Sequence, residues 1–252
     1  YNDYQNNWSK TFKVTINETV NVNLTEWLNV KSIFSYDRTE TKDHLYYSPI
    51  HFKGANDNGS VTDMSTLYEK TVSSTTVNFN KSFGKHNVSV LAGIEAERNK
   101  TSYTRASGTN FPSTSLETVS VAGKLDAAGY WWGHNMVSVL SRAEYNYDNK
   151  YYISGSYRRD GSSRLGEDSR WGNFWSVAGS WRISNEKFME NLKWLSNLRL
   201  RASYGVNGTL PSSNYGWRSL AGYSYKYQTE PGGALINAAD ANLSWEKSYT
   251  YN

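Results

Sequence analysis

The chain has 252 residues and a net charge of +4, and it carries 20 Tyr, 10 Trp and 8 Phe although its mean hydropathy is only −0.71. Disordered chains are poor in aromatic residues, so this composition excludes disorder, and the length suffices for one large all-β domain or two smaller ones. The 27 basic and 23 acidic residues are interspersed, which indicates no nucleic-acid partner, and the absence of cysteine excludes disulfide scaffolds, thiolate metal sites and cysteine nucleophiles.

Hydrophobic residues recur with period two, which predicts strands rather than helices. In residues 197–207 the apolar side carries Leu198, Leu200, Ala202, Tyr204 and Val206, and residues 86–96 alternate in the same way. No run of about 18 apolar residues predicts a transmembrane helix. The pattern predicts about nine strands, at 9–18, 22–37, 66–82, 86–104, 134–148, 150–161, 173–184, 196–207 and 243–252.

Short and long connections alternate along the chain. The sequences "ETVN" (18–21), "FGKH" (83–86) and "YDNK" (147–150) predict tight turns, and "NEKFMENLKWLS" (185–196) predicts a short helix with Asn185 as its N-cap. The other connections are long, at 38–65, 105–133, 162–172 and 208–242. Antiparallel strands then have all their long loops at one end. This arrangement, with one apolar and one polar face to each strand, is typical of an antiparallel transmembrane β-barrel, in which the sheet closes because lipid cannot satisfy backbone groups.

Aromatic residues lie close to the predicted tight turns. Tyr145, Tyr147, Tyr151 and Tyr152 surround the turn at 148–149, and Phe79 and Phe83 precede another turn. Amphipathic rings at strand ends are typical of a membrane-interface girdle. Tyrosine is also simply a good strand residue, so this feature alone leaves both interpretations open.

Residues 142–208 resemble the barrel of SusC/RagA-type TonB-dependent outer-membrane transporters. The resemblance rests on the ordered segments "RRDGSSRLG", "RWGNFWSVAGSWRISNEKF" and "LRLRASYGVNG", with "ASGTNFP" (106–112) and "ANLSWEK" (241–247) on either side. Leu165 replaces the family's usual Phe, and Trp175 stands where Pro is common. The resemblance implies that residues 1–252 are a central part of the barrel domain, with short periplasmic turns and long extracellular loops, and without the plug domain, the TonB box and the C-terminal strands.

The function that the resemblance implies is import of oligomeric nutrients, as glycan or peptide fragments, across the outer membrane of a Gram-negative, Bacteroidota-like cell. Energy would come from the TonB system through the N-terminal region that the chain lacks. A surface lipoprotein of the SusD type and outer-membrane lipid would be partners. The resemblance implies no enzyme activity and no cofactor.

Candidate substrate contacts come from two aromatic sequences in predicted long loops and from arginines on the polar sides of strands. "GYWWGH" (129–134) and "NYGW" (214–217) carry rings that can stack on sugars or anchor a partner, although they can equally pack the loops together. The arginines, to which Arg142 also belongs, could guide an anionic solute or pair with carboxylates of the plug domain. Alternatively, they only keep the lumen hydrated. The candidates are Tyr130, Trp131, Trp132, Tyr215, Trp217, Arg158, Arg199 and Arg201.

The stretch 157–175 reads as a bend at the outer rim. Glycines free the backbone to turn, and Trp171 with Trp175 begins the next strand. We expect its charges to pair with one another in water. The rim motif comprises Arg159, Asp160, Gly161, Arg164, Gly166, Arg170 and Trp171.

Catalytic interpretations of the same residues are weak. The stretch lacks G-x-x-x-x-G-K-[ST], so it is not a phosphate loop. Asp160, Glu167 and Asp168 alternate with arginines, which favours ion pairing over the two carboxylates of a glycosidase. The four histidines are scattered, so no metal site is predicted. The rival hypotheses are a soluble all-β carbohydrate-binding module and, behind it, a β-rich glycosidase.

Overall fold

A computed structural model describes residues 4–191, 194–227 and 230–252. Within these residues the chain forms eleven strands and four short 3₁₀ helices, at Ala55–Asp57, Val119–Val121, Ile183–Asn185 and Lys187–Met189. The strands are β1 (Gln5–Thr25), β2 (Leu28–Tyr47), β3 (Ser60–Phe83), β4 (His86–Thr109), β5 (Lys124–Tyr147), β6 (Tyr151–Ser162), β7 (Trp171–Arg182), β8 (Arg199–Thr209), β9 (Leu220–Tyr227), β10 (Glu230–Asn237) and β11 (Glu246–Tyr251).

Nine strands pair in chain order, β1 to β8 and then β11, and β9 pairs with β10 as a separate two-stranded sheet. The pairs from β5 to β8, and β8 with β11, are antiparallel. The predicted all-β, antiparallel fold is confirmed. In the part of the chain that the structure describes, no helix is long and apolar enough to cross a membrane.

Two of the three predicted tight turns are where the sequence places them. Gly84 and Lys85 join β3 to β4, and residues 148–150 join β5 to β6. Asp148 and Asn149 have φ of 52° and 55°, the left-handed region that Asp and Asn tolerate. The prediction of a turn at 18–21 is wrong. Those residues continue β1, and the turn lies at Glu26 and Trp27. The alternation of Val20, Val22 and Leu24 already indicates a continuous strand.

Other boundaries also differ. The helix predicted from Asn185 is absent from the described residues of that segment. Asn185 ends one 3₁₀ helix, and a second one follows at Lys187–Met189. The loop predicted at 208–242 contains the hairpin β9–β10. The loops predicted at 38–65 and 105–133 shrink to 48–59 and 110–123, because β2, β3, β4 and β5 extend into them.

The chain divides into two compact units, which are described separately. The first comprises 1–17, 35–71 and 98–133. Its core is a cluster of Tyr46, Val61 and Phe111, with Val119, Val121 and Ala122 packed against it. Two loops are locked together there, since the Asn58 side-chain amide donates to the Asn110 side chain and to the Phe111 carbonyl, both at 3.1 Å.

The second unit comprises 18–34, 72–97 and 134–252. Here the register of β5 to β8 places every second residue on a common face. One face is polar and carries Ser138, Arg142, Ser154, Ser156, Ser176, Ser180, Arg201 and Ser203. The opposite face is apolar yet exposed, with Val139, Ile153, Tyr157, Trp175, Val177, Leu200 and Tyr204. The solvent-exposed apolar face of this regular sheet is the starting point for the description of the candidate site.

Candidate functional site

The apolar face has two borders. One cross-strand row is Val137, Gly161 and Trp171, and the other is Tyr147, Tyr151 and Trp181. Trp181 lies ten positions after Trp171 in β7. A strand that rises about 3.3 Å per residue and tilts about 40° covers roughly 25 Å along the membrane normal over that length, which is the height of a barrel's lipid-facing band. The apolar face therefore fits a bilayer core.

Aromatic rings line the border at the tight-turn end. Tyr147 stacks on Tyr151, and Tyr151 on Trp181, with ring centroids 6.4 Å apart in both pairs. A hydrogen bond of 2.6 Å joins His86 Nδ1 to the Tyr145 hydroxyl. This row lies where an interface girdle would lie, which is one of the two interpretations that the sequence leaves open, although Tyr152 is not part of it. Tyr152 lies on the polar face, because adjacent strand residues point to opposite sides.

Glu186, in the segment that follows β7, forms hydrogen bonds to two rings of this aromatic row. Its carboxylate accepts hydrogen bonds from the Tyr151 hydroxyl at 2.6 Å and the Trp181 indole at 3.1 Å, and the Lys150 amine lies 3.2 Å away. These donors, the Tyr151 hydroxyl foremost, hold the pKa of Glu186 below its ordinary value. Sequence reasoning did not single out this residue.

An open hollow of about 830 Å³ lies against the polar face of the second unit. Arg142 pairs with Glu144 there, and the Arg199 guanidinium lies 4.3 Å from the centre of the Tyr152 ring. Arg199 and Arg201 both line the hollow, so they lie on the polar side as the sequence predicted. Its polar lining includes Asn80, Asn87, Ser89, Arg142, Glu144, Asn146, Ser154, Ser180, Arg199, Arg201 and Ser203.

Arg158 is the centre of an ion-pair network rather than a free lumenal cation. It donates to the Asp160 carboxylate at 2.6 Å, to Glu95 at 3.1 Å and to the Ser138 hydroxyl at 2.9 Å. Asp160 is 7% exposed. A buried carboxylate of this kind is tolerated because a cation and hydrogen bonds satisfy it, so loss of Arg158 would leave Asp160 as an unpaired buried charge.

The rest of the rim motif packs against neighbouring loops. Leu165 and Ser162 are fully buried. Arg164 donates to the Pro211 carbonyl at 3.4 Å and to His134 Nδ1 at 3.1 Å. A Cβ on Gly166 would collide with the Ala241 carbonyl. The loop is therefore a packed bend, in contrast to the expected water-exposed set of charge pairs. Only some of its charges face water, among them Glu167 and Asp168.

Two further arginines of the rim motif form cation–π contacts with tryptophan rings. Arg159 lies 5.2 Å from the Trp171 ring, on the apolar side of the sheet, and Arg170 lies 5.9 Å from the Trp217 ring. Gly161 packs beneath Trp171, where a Cβ would come within 2.9 Å of the ring. These contacts fix the upper border of the apolar face.

The aromatic sequence "NYGW" packs onto this bend. The Trp217 indole donates to the Ser163 carbonyl at 3.0 Å, and the guanidinium groups of Arg170 and Arg218 lie 5.9 Å and 4.5 Å from its ring. Tyr215 is half-buried. For Trp217 the loop-packing alternative therefore describes the structure better than ligand contact does. Phe174 and Trp245, which the sequence did not single out, form a second packed pair 5.1 Å apart, and Trp245 donates to the Arg170 carbonyl at 3.1 Å.

The sequence "GYWWGH" was assigned to a long loop, and this was wrong, because residues 129–134 lie within β5. In the first unit, Tyr130 stacks between Tyr103 at 4.9 Å and Trp132 at 5.5 Å, which forms a ladder of three rings. Trp131 lies on the opposite face, is 68% exposed and has the Lys100 amine 5.9 Å from its ring. The strand thus separates two candidate residues from the third.

Among the described residues no group of three or more His, Asp or Glu side chains is placed to hold a metal ion. No protein-family model matches the chain. The chain is 28% identical over 229 residues, 88% of its own length, to the TonB-dependent receptor P3 of Formosa agariphila. It superposes over 99% of its length on the RagAB peptide transporter with a TM-score of 0.92 and 25% identity.

The chain is related to the SusC/RagA-type TonB-dependent receptors. The resemblance read from the sequence is confirmed. The RagAB peptide importer in its "open-open" state also matches, with a TM-score of 0.89 and 26% identity. The siderophore receptor PiuA of Acinetobacter baumannii, at a TM-score of 0.55 and 12% identity, shares the fold alone. The chain spans about a quarter of the length of these TonB-dependent relatives, 23% of the Formosa receptor and 28% of the RagAB chain.

Proposed function

We propose that residues 1–252 form part of the barrel wall of an outer-membrane receptor that imports oligomeric nutrients without changing them chemically. The observation that carries the proposal is the two-faced sheet of the second unit, whose apolar side matches the thickness of a bilayer core while the other side is polar and hollow. A soluble carbohydrate-binding module is not favoured, because a sheet in water does not leave so large an apolar face uncovered.

Peptide fragments are the first substrate class to consider, because the matching RagAB structures are described as a peptide transporter and a peptide importer. Glycan fragments are the second. The ladder of Tyr103, Tyr130 and Trp132 supports either class, since stacked rings offer flat apolar area to a sugar ring or to an aromatic side chain. We assign Tyr130 and Trp132, and not Trp131, to this contact.

The energy source and the partners belong to the same proposal. The relatives are TonB-dependent, so we propose that the TonB system acts through a part of the protein outside this chain. We further propose a surface lipoprotein of the SusD type as a partner, and a Gram-negative, Bacteroidota-like outer membrane as the location. The complex named RagAB supports a partner of this kind.

Uptake in living cells tests the proposal. Cells lacking the gene and cells complemented with the full-length protein are given a fluorescent peptide pool or fluorescent oligosaccharides, with and without a protonophore. We expect uptake of one class only in complemented cells, and its loss when the protonophore is added. Equal uptake in both strains, or uptake that survives the protonophore, would contradict the proposal.

A further inference from the structure

Three arginines lie together on the polar face of the second unit, next to the tight-turn end. Arg182 and Arg199 are direct cross-strand partners in the β7–β8 ladder, and Arg201 lies opposite Ser180, one pair further along that face. Like charges directly opposite each other destabilise a sheet pair, so this arrangement requires compensation.

Among the described residues, no acidic group neutralises the positive charge of these three arginines. Several other basic groups of this unit have carboxylate partners, such as Arg158 with Asp160, Lys150 with Glu186, and Arg142 with Glu144. Others, such as Arg159 and Arg170, lie on tryptophan rings. In the described part of the chain, Arg182, Arg199 and Arg201 form no ion pair. The Nε atoms of Arg182 and Arg199 are buried and without a hydrogen-bond partner there. Buried polar atoms of a folded protein normally have a partner.

The surroundings of Arg199 and Arg201 suit an anion. Both line the hollow of about 830 Å³, in which Glu144 is the acidic lining residue and already pairs with Arg142. The Tyr152 ring holds the Arg199 guanidinium by a cation–π contact at 4.3 Å, which limits its motion. Asn and Ser side chains complete the lining. A guanidinium fork binds a carboxylate through two parallel hydrogen bonds.

We propose that Arg199 and Arg201 form an anion site that binds a carboxylate group on the polar face, with Arg182 adding positive charge. The carboxylate belongs either to a solute in the hollow or to a side chain from a part of the protein outside this chain. Simple hydration of the arginines is the competing account. The site is independent of transport, so its test needs no uptake.

Binding of tetraglutamate to the purified full-length receptor in detergent, measured by calorimetry against neutral tetraalanine, tests the site. Arg199→Gln with Arg201→Gln should weaken tetraglutamate binding by about tenfold or more, since each lost hydrogen bond to a charged group costs at least that factor. Arg159→Gln is the control, because it removes one guanidinium charge from the opposite face of the sheet and should leave affinity unchanged. Gel mobility of unheated samples checks that each variant is folded.

The melting temperature separates the two sources. If a side chain of the protein supplies the carboxylate, tetraglutamate does not bind the wild type, and the double variant melts lower than both the wild type and Arg159→Gln. Arg199→Lys with Arg201→Lys, which keeps the charge, should restore part of either effect. Tetraglutamate binding that persists in the double Gln variant overturns the proposal. So does a wild type that binds no tetraglutamate together with a double variant whose melting temperature is unchanged.

Discussion

Replacing Val177 by arginine should destabilise the barrel far more than replacing the neighbouring Ala178 by arginine. Val177 lies on the apolar face, 45% exposed, between Gly155 and Tyr204 of the neighbouring strands. It is four residues from Trp181 and six from Trp171. At about 2.5 Å of height per residue, Val177 lies roughly 10 Å above the lower girdle of a band about 25 Å tall, close to its centre.

The magnitude follows from that position. An arginine on the lipid face of a barrel costs about 2–4 kcal/mol at the bilayer midplane and about 0–1 kcal/mol near the interfaces. Val177→Arg should therefore shift the folding equilibrium by roughly 30-fold to 700-fold toward the unfolded state. The neighbouring Ala178 points to the polar hollow and is the matched control. Ala178→Arg places the same cation in water, where we expect a cost below about 1 kcal/mol.

Urea unfolding of the full-length receptor in lipid vesicles, followed by gel mobility of unheated samples, measures the difference. We expect a clearly lower urea midpoint for Val177→Arg and a midpoint near the wild-type value for Ala178→Arg. Equal midpoints for the two variants, or a larger loss for Ala178→Arg, would refute the assignment of the two faces and with it the membrane orientation of the sheet.

Three further outcomes are expected. Because the pKa of Glu186 is lowered, its carboxylate contributes stability at neutral pH that is lost as the pH falls below the ordinary pKa of 4.5. The melting temperature of Glu186→Gln should therefore depend less on pH between about pH 6 and about pH 3. A pH profile equal to that of the wild type would contradict this. Gly166→Ala should cost about 1–3 kcal/mol in thermal or urea unfolding, because the new Cβ meets backbone, whereas Gly155→Ala meets only ordinary contacts. Trp132→Ala should lower cargo uptake by about fivefold or more, and an equal loss for Trp131→Ala on the opposite face would argue against the ladder.

The part of the fold that the sequence predicts best is the part with one apolar face. Residues 197–207 alternate strictly, and β8 occupies 199–209. The ends of β4 and the start of β5 were missed because both of their sides are polar or mixed, as in "TRASGT" and "KLDAAG". An alternation of period two appears in a sequence only where one face of the strand must be apolar. The end of β4 and the start of β5 are held by backbone hydrogen bonds between strands, which require no particular side chains.

The candidate site divides along the same line. The side on which Arg199 and Arg201 lie follows from alternation alone. Trp217 packs against Ser163, 54 residues away, and Gly166 packs against Ala241, 75 residues away. Both contacts join loops, and no local sequence pattern specifies them. The error at "GYWWGH" involves the same kind of contact, since Gly133 lies within β5 at a place where the Asn99 carbonyl leaves no room for a Cβ, and this close approach is not visible in the local sequence.

The charges of the rim motif are engaged within the protein, so we propose that they take little part in cargo recognition. Asp160 is buried and held by Arg158, Arg164 is engaged with a backbone carbonyl and His134, and Arg159 and Arg170 lie on tryptophan rings. Binding a solute through these groups would break contacts that hold the bend and the upper border of the apolar face. We therefore propose that selectivity resides in the ring ladder around Tyr130 and in the arginines at 199 and 201, since the contacts of Arg199 to Tyr152 and of Tyr130 to neighbouring rings leave the guanidinium forks and the ring edges able to meet a solute. Variants at those two places should change which cargo passes while leaving the barrel folded.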